Sequence, residues 1–176
     1  MRLWILPALA VLLGACDRFG NADLPPTSCP RITILAEGAD LTRFRPGAGQ
    51  DLSVMVADAS VQALNARCDY GNRGRTVEVQ LTVGFQVERG PAASGPVTLP
   101  WFVIVTNADD ESVIQRRAFA MGVSFPANVS RTTSTSPTLR FSFPVGEGRR
   151  VTDYNVRISF QLTEEELAYN RRRGTR

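Results

Sequence analysis

Three cysteines and the complete absence of histidine define the side-chain chemistry open to this chain of 176 residues. A cysteine thiolate is both a nucleophile and a metal ligand. Without histidine there is no Ser-His-Asp triad, no Cys-His dyad, no histidine-ligated zinc and no histidine proton shuttle. The sequence therefore leaves cysteine chemistry and carboxylate chemistry as the candidates.

The first cysteine, Cys16, stands directly after a short apolar segment. Arg2 is followed by the apolar run LWILPALAVLL (residues 3–13) and then by two small residues. A positive residue, an apolar run and small residues in this order are the layout of a secretory signal. A helix that crosses a bilayer needs roughly 20 apolar residues, so a removed or lipid-modified signal is favoured over a permanent membrane span.

The segment LGAC (residues 13–16) resembles the bacterial lipobox. It predicts a signal peptide of residues 1–15 and a diacylglycerol group on the sulfur of Cys16, which would anchor the protein at about 0.8 kcal/mol per buried methylene. An ordinary signal peptide with an incidental cysteine is the alternative. The predicted location is the cell envelope, on a membrane and facing the periplasm. Asp17 resembles a signal for retention in the inner membrane, and the choice between inner and outer membrane stays open.

The remaining cysteines, Cys29 and Cys68, form an even pair in a predicted oxidising compartment, which indicates a disulfide. The bridge would close a loop of about 40 residues and contribute about 4 kcal/mol in the chain-entropy model. A thiolate metal site or a reactive thiol is the alternative, although two thiols and no histidine are few ligands for a metal. We predict no metal and no cofactor.

Arg43, Phe44 and Arg45 are the candidate contact residues for a partner. They lie in a segment, residues 42–51, that Pro46 and two glycines mark as a loop. Two arginines around an aromatic ring suit an acidic protein, a lipid headgroup or the carboxylates of the cell wall. The alternative is a connecting loop with solvated arginines and a phenylalanine tucked into the core. As surface groups, the arginines would change stability by no more than about 0.5 kcal/mol when replaced.

Three further charged groups have two interpretations each. Acids at 109–111 could hold calcium, which takes six to eight oxygens, but a plain charged turn is favoured. Arginines at 171–173 suit either an anionic lipid or a helix C-terminus. A carboxylate pair could make the protein an envelope hydrolase, but no two acids stand out as buried.

The elements that must position these residues are strands. Residues 76–88 alternate strictly between apolar and polar side chains, so one face is buried, and a register slip would invert it. Loops are expected at 42–51 and 128–136, and a bend or bulge near Asp58. The fold class is all-β: an antiparallel immunoglobulin-like β-sandwich of about seven strands with a short C-terminal helix, and a closed barrel as the alternative. The predicted strands are 31–35, 52–68, 76–88, 98–107, 112–125, 138–145 and 154–162.

The C-terminal helix is signalled by a capping box, Thr163 with Glu166, followed by arginines in the last turn. The proposed organisation is a signal peptide (1–15), a lipid-anchored tether (16–28) rich in turn-forming residues, and a β-sandwich domain (29–176). The formal net charge of +3 is close to balanced, so no nucleic-acid partner is expected.

Three segments resemble a known group of proteins: CPRITILAEGADLTRFRPGAGQDL (29–52), CDYG (68–71) and FQLTEEELAYNRRR (160–173). Together they resemble small lipoproteins of alphaproteobacteria whose function is not established. The resemblance supports a lipoprotein and the pairing of Cys29 with Cys68, and it supplies no catalytic residue. The expected function is that of a non-catalytic binding or structural module, held to the membrane by lipid, whose partner is an envelope protein or a cell-wall component.

Overall fold

The structure, a computed structural model, describes residues 27–174. The predicted signal peptide and Cys16 lie outside these residues. Within them, nine strands and one α-helix form the regular elements: β1 (Arg31–Ile34), β2 (Asp40–Phe44), β3 (Met55–Gly71), β4 (Thr76–Arg89), β5 (Val97–Asn107), β6 (Val113–Val123), β7 (Arg131–Thr135), β8 (Leu139–Pro144), β9 (Tyr154–Phe160) and α1 (Glu164–Arg173). The prediction of a mostly β chain with a short C-terminal helix is confirmed.

Two sheets share one core and so form a sandwich. The first has the order β1-β9-β5-β6, and the second has the order β2-β3-β4, with β7 and β8 both on the free edge of β4. Every ladder between these strands is antiparallel except β1 with β9, which is parallel. The sequence predicted about seven strands and an antiparallel arrangement. The two additional strands are short, and the parallel pair was not foreseen.

Strand β4 has the alternation that its sequence predicts. Val77, Val79, Leu81, Val83, Phe85 and Val87 are all buried, whereas Glu78 and Gln80 are exposed and Glu88 is half-buried. The core between the sheets is centred on aromatic rings: Trp101 stacks on Phe119 at 4.6 Å between centroids and meets Phe85 edge-on at 5.3 Å. Such pairs add to the burial of apolar area that holds the two sheets together.

Two predicted loops turn out to contain strands. Residues 131–135, inside the expected loop 128–136, form β7 because their hydroxyl-bearing and β-branched side chains fit the free edge of β4. Residues 42–44, in the expected loop 42–51, belong to β2. The irregularity expected near Asp58 is present, because the β2–β3 register shifts between Ala57 and Met55. A second shift, in the β3–β4 ladder, lies between Val61 and Ala63.

The sandwich has two ends, and the connections divide between them. At one end, which we call the tether end, residue 30 leads into β1 and the turns at 72–75, 108–112 and 145–153 connect strands. At the opposite end, which we call the helix end, β2 and β9 stop and β5 and α1 begin. The predicted tether (16–28) therefore joins the domain at the end opposite to α1.

The disulfide predicted between Cys29 and Cys68 is present. Its Cα atoms are 5.5 Å apart, within the range that disulfide geometry requires. Cys29 precedes β1 of the first sheet, and Cys68 lies near the end of β3 in the second. The bond therefore ties the two sheets together at the tether end.

Candidate functional site

A groove of about 380 Å³ opens at the helix end, between the β2–β3 loop and α1. Its lining includes Arg43, Phe44 and Arg45, the three residues that the sequence singled out as partner contacts. The opposite wall is formed by the first turns of α1, and Val56 of β3 contributes to the lining. Two segments that are far apart in the sequence thus form one concave surface.

The wall supplied by α1 is held in shape by its N-terminal cap. The hydroxyl of Thr163 accepts a hydrogen bond from the backbone N–H of Glu166 at 3.2 Å, and the Glu166 carboxylate accepts one from the N–H of Thr163 at 2.9 Å. This is the predicted capping box, and acidic residues in the first turn complement the helix dipole. The cap fixes where the helix begins and therefore where the groove wall stands.

Arg43 joins the two walls. Its Nε donates to Oε1 of Glu166 at 2.8 Å, and its Nη1 donates to the backbone oxygen of Thr98 at 3.1 Å. The Glu166 side chain is only 9% exposed and the Arg43 side chain 32%. Arg43 is thus not the solvated surface group that a connecting loop would carry. It connects β2, α1 and the start of β5.

Phe44 and Tyr169 provide aromatic surface in the groove. Their rings meet edge-on with centroids 5.1 Å apart, and both side chains are half-buried. The loop interpretation assumed that Phe44 enters the main core, and the structure shows that it does not. It packs on the helix and keeps part of its surface available.

Arg45 and Glu165 carry the free charges of the groove. Both are exposed, and neither has an ion-pair partner among residues 27–174. One lies on the loop and the other on the helix, so the two walls present opposite charges. A ligand in the groove would meet an apolar surface between them.

The C-terminal half of α1 is attached to β2 and to the turn at 36–38. The Asn170 side-chain amide donates to the backbone oxygens of Asp40 at 2.8 Å and Glu37 at 3.0 Å. Arg171 pairs with Glu37 at 2.9 Å, and Arg173 pairs with Asp40 at 3.2 Å. These contacts favour the helix-terminus interpretation of the last arginines over a lipid contact.

The turn at 36–38 lies directly against β9, and Gly38 makes this possible. A Cβ atom built on Gly38 would lie 1.8 Å from the hydroxyl oxygen of Ser159, far inside van der Waals contact. Any larger residue would require the Ser159 side chain or the turn itself to move. This close approach fixes the distance between the 36–38 turn and β9, and α1 packs on that turn.

Two largely buried carboxylates, those of Asp40 and Asp58, come together beside the last turn of α1. Asp40 and Asp58 share one guanidinium, that of Arg173, at 3.2 and 3.5 Å, and Asp58 also accepts a hydrogen bond from the Thr42 hydroxyl at 2.7 Å. Elsewhere in the chain, hydrogen bonds from Arg171 and from Ser53 lower the pKa of Glu37 and of Asp51 respectively.

The acidic turn at the tether end is a structural element. Asp110 accepts from Nη2 of Arg157 at 2.6 Å and from the side chains of Thr106 and Asn155. The Arg157 guanidinium in particular holds the pKa of Asp110 down at about 2. No cluster of three or more histidine, cysteine or acidic residues that could hold a metal occurs in the described part of the chain.

Comparison with known proteins found no relative of this chain. No protein-family model matches the chain, no curated protein matches it, and no solved structure matches it. Over residues 27–174, no helix is long and apolar enough to cross a membrane.

Sequence reasoning found one wall of the groove and missed the other. Arg43, Phe44 and Arg45 stood out, but Glu166 and Tyr169 were interpreted only as helix residues. Their spacing of three places them on one face of the helix, which is a usable signal. What the sequence lacks is any sign that this face would pack on β2.

Proposed function

We propose that this protein is a lipid-anchored envelope protein of bacteria, facing the periplasm, with a non-catalytic β-sandwich that binds an envelope protein or a cell-wall component. Cys16 is the proposed anchor. The groove between the β2–β3 loop and α1 is the proposed binding site, and it is the observation that carries the proposal.

The composition of the groove supports a binding role. Ligand sites are concave and largely apolar, with a few polar groups that fix orientation, and aromatic and arginine side chains dominate binding energy. The groove offers the rings of Phe44 and Tyr169 between the free charges of Arg45 and Glu165. The Arg43–Glu166 ion pair holds the walls together, so little ordering would be required when a ligand binds.

The position of the groove also supports the proposal. It opens at the helix end, whereas the predicted tether joins the tether end. The eleven residues of β5 separate these ends by roughly 36 Å, at about 3.3 Å per residue. A protein anchored through Cys16 would therefore present the groove away from its own membrane.

Crosslinking in intact cells tests the binding site. A photo-reactive side chain at Gln50, which lines the groove, should crosslink to a partner. The same group at the exposed Gln80 on β4 should not. Crosslinking from position 50 should fall at least tenfold when Phe44→Ala and Arg45→Glu are combined. Equal products from positions 50 and 80 would contradict a groove-specific partner.

The anchor has a separate test. Cys16→Ser should leave the protein unprocessed or release it from the membrane fraction, and the mass of the wild-type N-terminal peptide should include diacylglycerol. An unchanged mass and an unchanged membrane partition would remove the lipoprotein proposal and leave the groove proposal standing.

We also propose that the sandwich is immunoglobulin-like in architecture. Its chain crosses between the sheets after β1, β4, β6 and β8, as Greek-key connections do. The antibody-type strand order is not reproduced, because the last strand, β9, pairs with β1 and β5 and not with β8, the strand that precedes it in sequence. Superposition of an experimental structure on immunoglobulin domains tests the proposal, which requires a shared core that draws strands from both sheets.

A further inference from the structure

We propose that the tether end of the sandwich docks on anionic phospholipid through Arg73, Arg75, Arg149 and Arg150. This inference extends the proposed function, because it assumes that Cys16 brings this end of the domain to a membrane. It assigns an orientation to the anchored molecule: the arginines face the bilayer and the groove faces the periplasm.

The four arginines come from two neighbouring turns. Arg73 and Arg75 belong to the connection between β3 and β4, and Arg149 and Arg150 to the connection between β8 and β9. The turns are joined by a hydrogen bond from the N–H of Val145 to the backbone oxygen of Arg75 at 2.9 Å. They therefore form one surface.

Two adjacent hollows in this surface, of about 500 and 410 Å³, share Gly74, Val145, Gly146 and Arg149 in their walls. Ser28 lines the larger hollow. The chain that comes from Cys16 thus reaches the domain among the arginines.

The positive charge of this surface is largely uncompensated. All four side chains belong to exposed residues. Arg73, Arg75 and Arg149 have no ion-pair partner among residues 27–174, and Arg150 has only an exposed contact to Asp153 at 3.5 Å. Glu147 is the acid that lines the smaller of the two hollows. Guanidinium groups bind phosphate oxygens in a bidentate geometry, which suits a phospholipid headgroup.

The distance to the anchor makes docking feasible. Cys16 lies twelve residues before Ser28, a separation of at most roughly 40 Å for any chain. The anchor thus keeps the arginines close to the headgroups. Each basic residue near an anionic surface raises the ratio of docked to undocked protein by roughly fivefold. A few arginines are therefore enough to dock a domain that is already tethered.

Charge on the other sheet defines how the domain would tilt. Asp109 and Glu111 are exposed in the β5–β6 turn at the same end, and an anionic surface repels them. The domain should therefore rest on the side formed by β3, β4 and β8, with the β5–β6 turn lifted from the surface.

Hydrogen exchange on the membrane-bound protein tests the inference. Full-length protein purified from membranes is reconstituted in vesicles of phosphatidylcholine alone or mixed with phosphatidylglycerol. Peptides that cover residues 72–75 and 146–150 should exchange several-fold more slowly on the anionic vesicles. The difference should vanish at about 1 M salt, where the Debye length falls to roughly 3 Å.

Two charge-matched double variants separate position from net charge. Arg73→Gln with Arg149→Gln should lower the occupancy of the docked state by about 25-fold, at roughly fivefold per arginine, and so remove the slow exchange. Arg131→Gln with Arg172→Gln removes the same charge at the helix end and should leave it intact. Equal exchange on the two vesicle types, or equal loss in the two variants, would overturn the docking proposal.

The mass of the Cys16 peptide from the same sample reports separately on the anchor. Slow exchange without lipid on Cys16 would support docking and refute the anchor. Lipid on Cys16 without slower hydrogen exchange on the anionic vesicles would support the anchor and refute docking.

Discussion

Arg43 and Arg45 are separated only by Phe44, yet the fold uses them differently. Arg43 lies in β2 and points to α1, where Glu166 accepts its hydrogen bond. Arg45 lies just beyond the strand and is exposed. Alternation along an extended chain puts both on the same side, so the sequence pattern treats them alike. The positions of α1 and of the start of β5 distinguish them, because Arg43 bonds to both.

The two arginines should differ in their effect on stability. Arg43→Ala leaves the buried carboxylate of Glu166 without its cation and should lower the free energy of unfolding by about 1–3 kcal/mol. Arg45→Ala should change it by no more than about 0.5 kcal/mol. Urea unfolding measures both values. Equal effects would mean that the Arg43–Glu166 ion pair does not stabilise the fold.

Asp110 should make stability depend on acid. Its pKa is about 2 in the folded protein against an ordinary value of 3.8, chiefly because Arg157 hydrogen-bonds to the charged form. A lowered folded-state pKa stabilises the protein above the ordinary pKa, and this stabilisation is lost as the pH falls from about 4 to about 2. Asp110→Asn should therefore lower the urea midpoint at neutral pH, and the difference from wild type should shrink towards pH 2.

The control for this experiment is Asp109→Asn, in the same turn. Asp109 is exposed and has no ion-pair partner within residues 27–174, so its replacement should leave the midpoint nearly unchanged at both pH values. Asparagine also accepts the positive φ of 61° at position 110, so backbone strain does not confuse the comparison.

At the scale of the elements, β4 shows what a sequence can predict. Its period of two places six apolar side chains in the core, as the structure has them. Strand β7 shows the limit: Thr132, Thr133 and Thr135 are polar, and only the free edge of β4 makes them a strand. The parallel pairing of β1 with β9 is equally hidden, because a period of two identifies a strand and not its neighbour.

Local sequence patterns indicated each wall of the groove separately, but not that the two walls meet. Its loop wall has a distinctive composition, and its helix wall has a capping signal that proved correct. The contact between Arg43 and Glu166 joins residues 123 apart in the chain. No local pattern encodes a contact across that distance.

Leu81 in β4 should be one of the most sensitive core positions. It is fully buried, so Leu81→Ala removes apolar contacts and leaves a cavity, at a cost of about 2–5 kcal/mol. The neighbouring Gln80 faces solvent, and Gln80→Ala should change stability by no more than about 0.5 kcal/mol. Chemical denaturation of both variants tests the register of the strand, since a slip by one residue would exchange the two results.

At the scale of the whole molecule, the Cys29–Cys68 bond joins the chain segment nearest the predicted anchor to the opposite sheet. It spans 39 residues in sequence. Replacing both cysteines by serine should lower the free energy of unfolding by about 4 kcal/mol in the chain-entropy model. Wild-type protein unfolded in the presence of a reductant should behave like the double variant. A midpoint unaffected by reductant would show that the bond contributes little.

The ladder between β1 and β9 makes completion of the fold depend on the last part of the chain. If the chain is exported from its N-terminus, Cys29 and Cys68 can join early, but β1 has no strand to pair with until residues 155–158 have also crossed the membrane. Until then β1 has no partner strand and β5 has an open edge where β9 will pair, and β2 lacks the cover of α1. Open edges and exposed apolar surface are what aggregation and proteolysis act on. A chain that stops before β9 is therefore distinguishable from a finished one by its surface alone, so this topology allows quality control of truncated products.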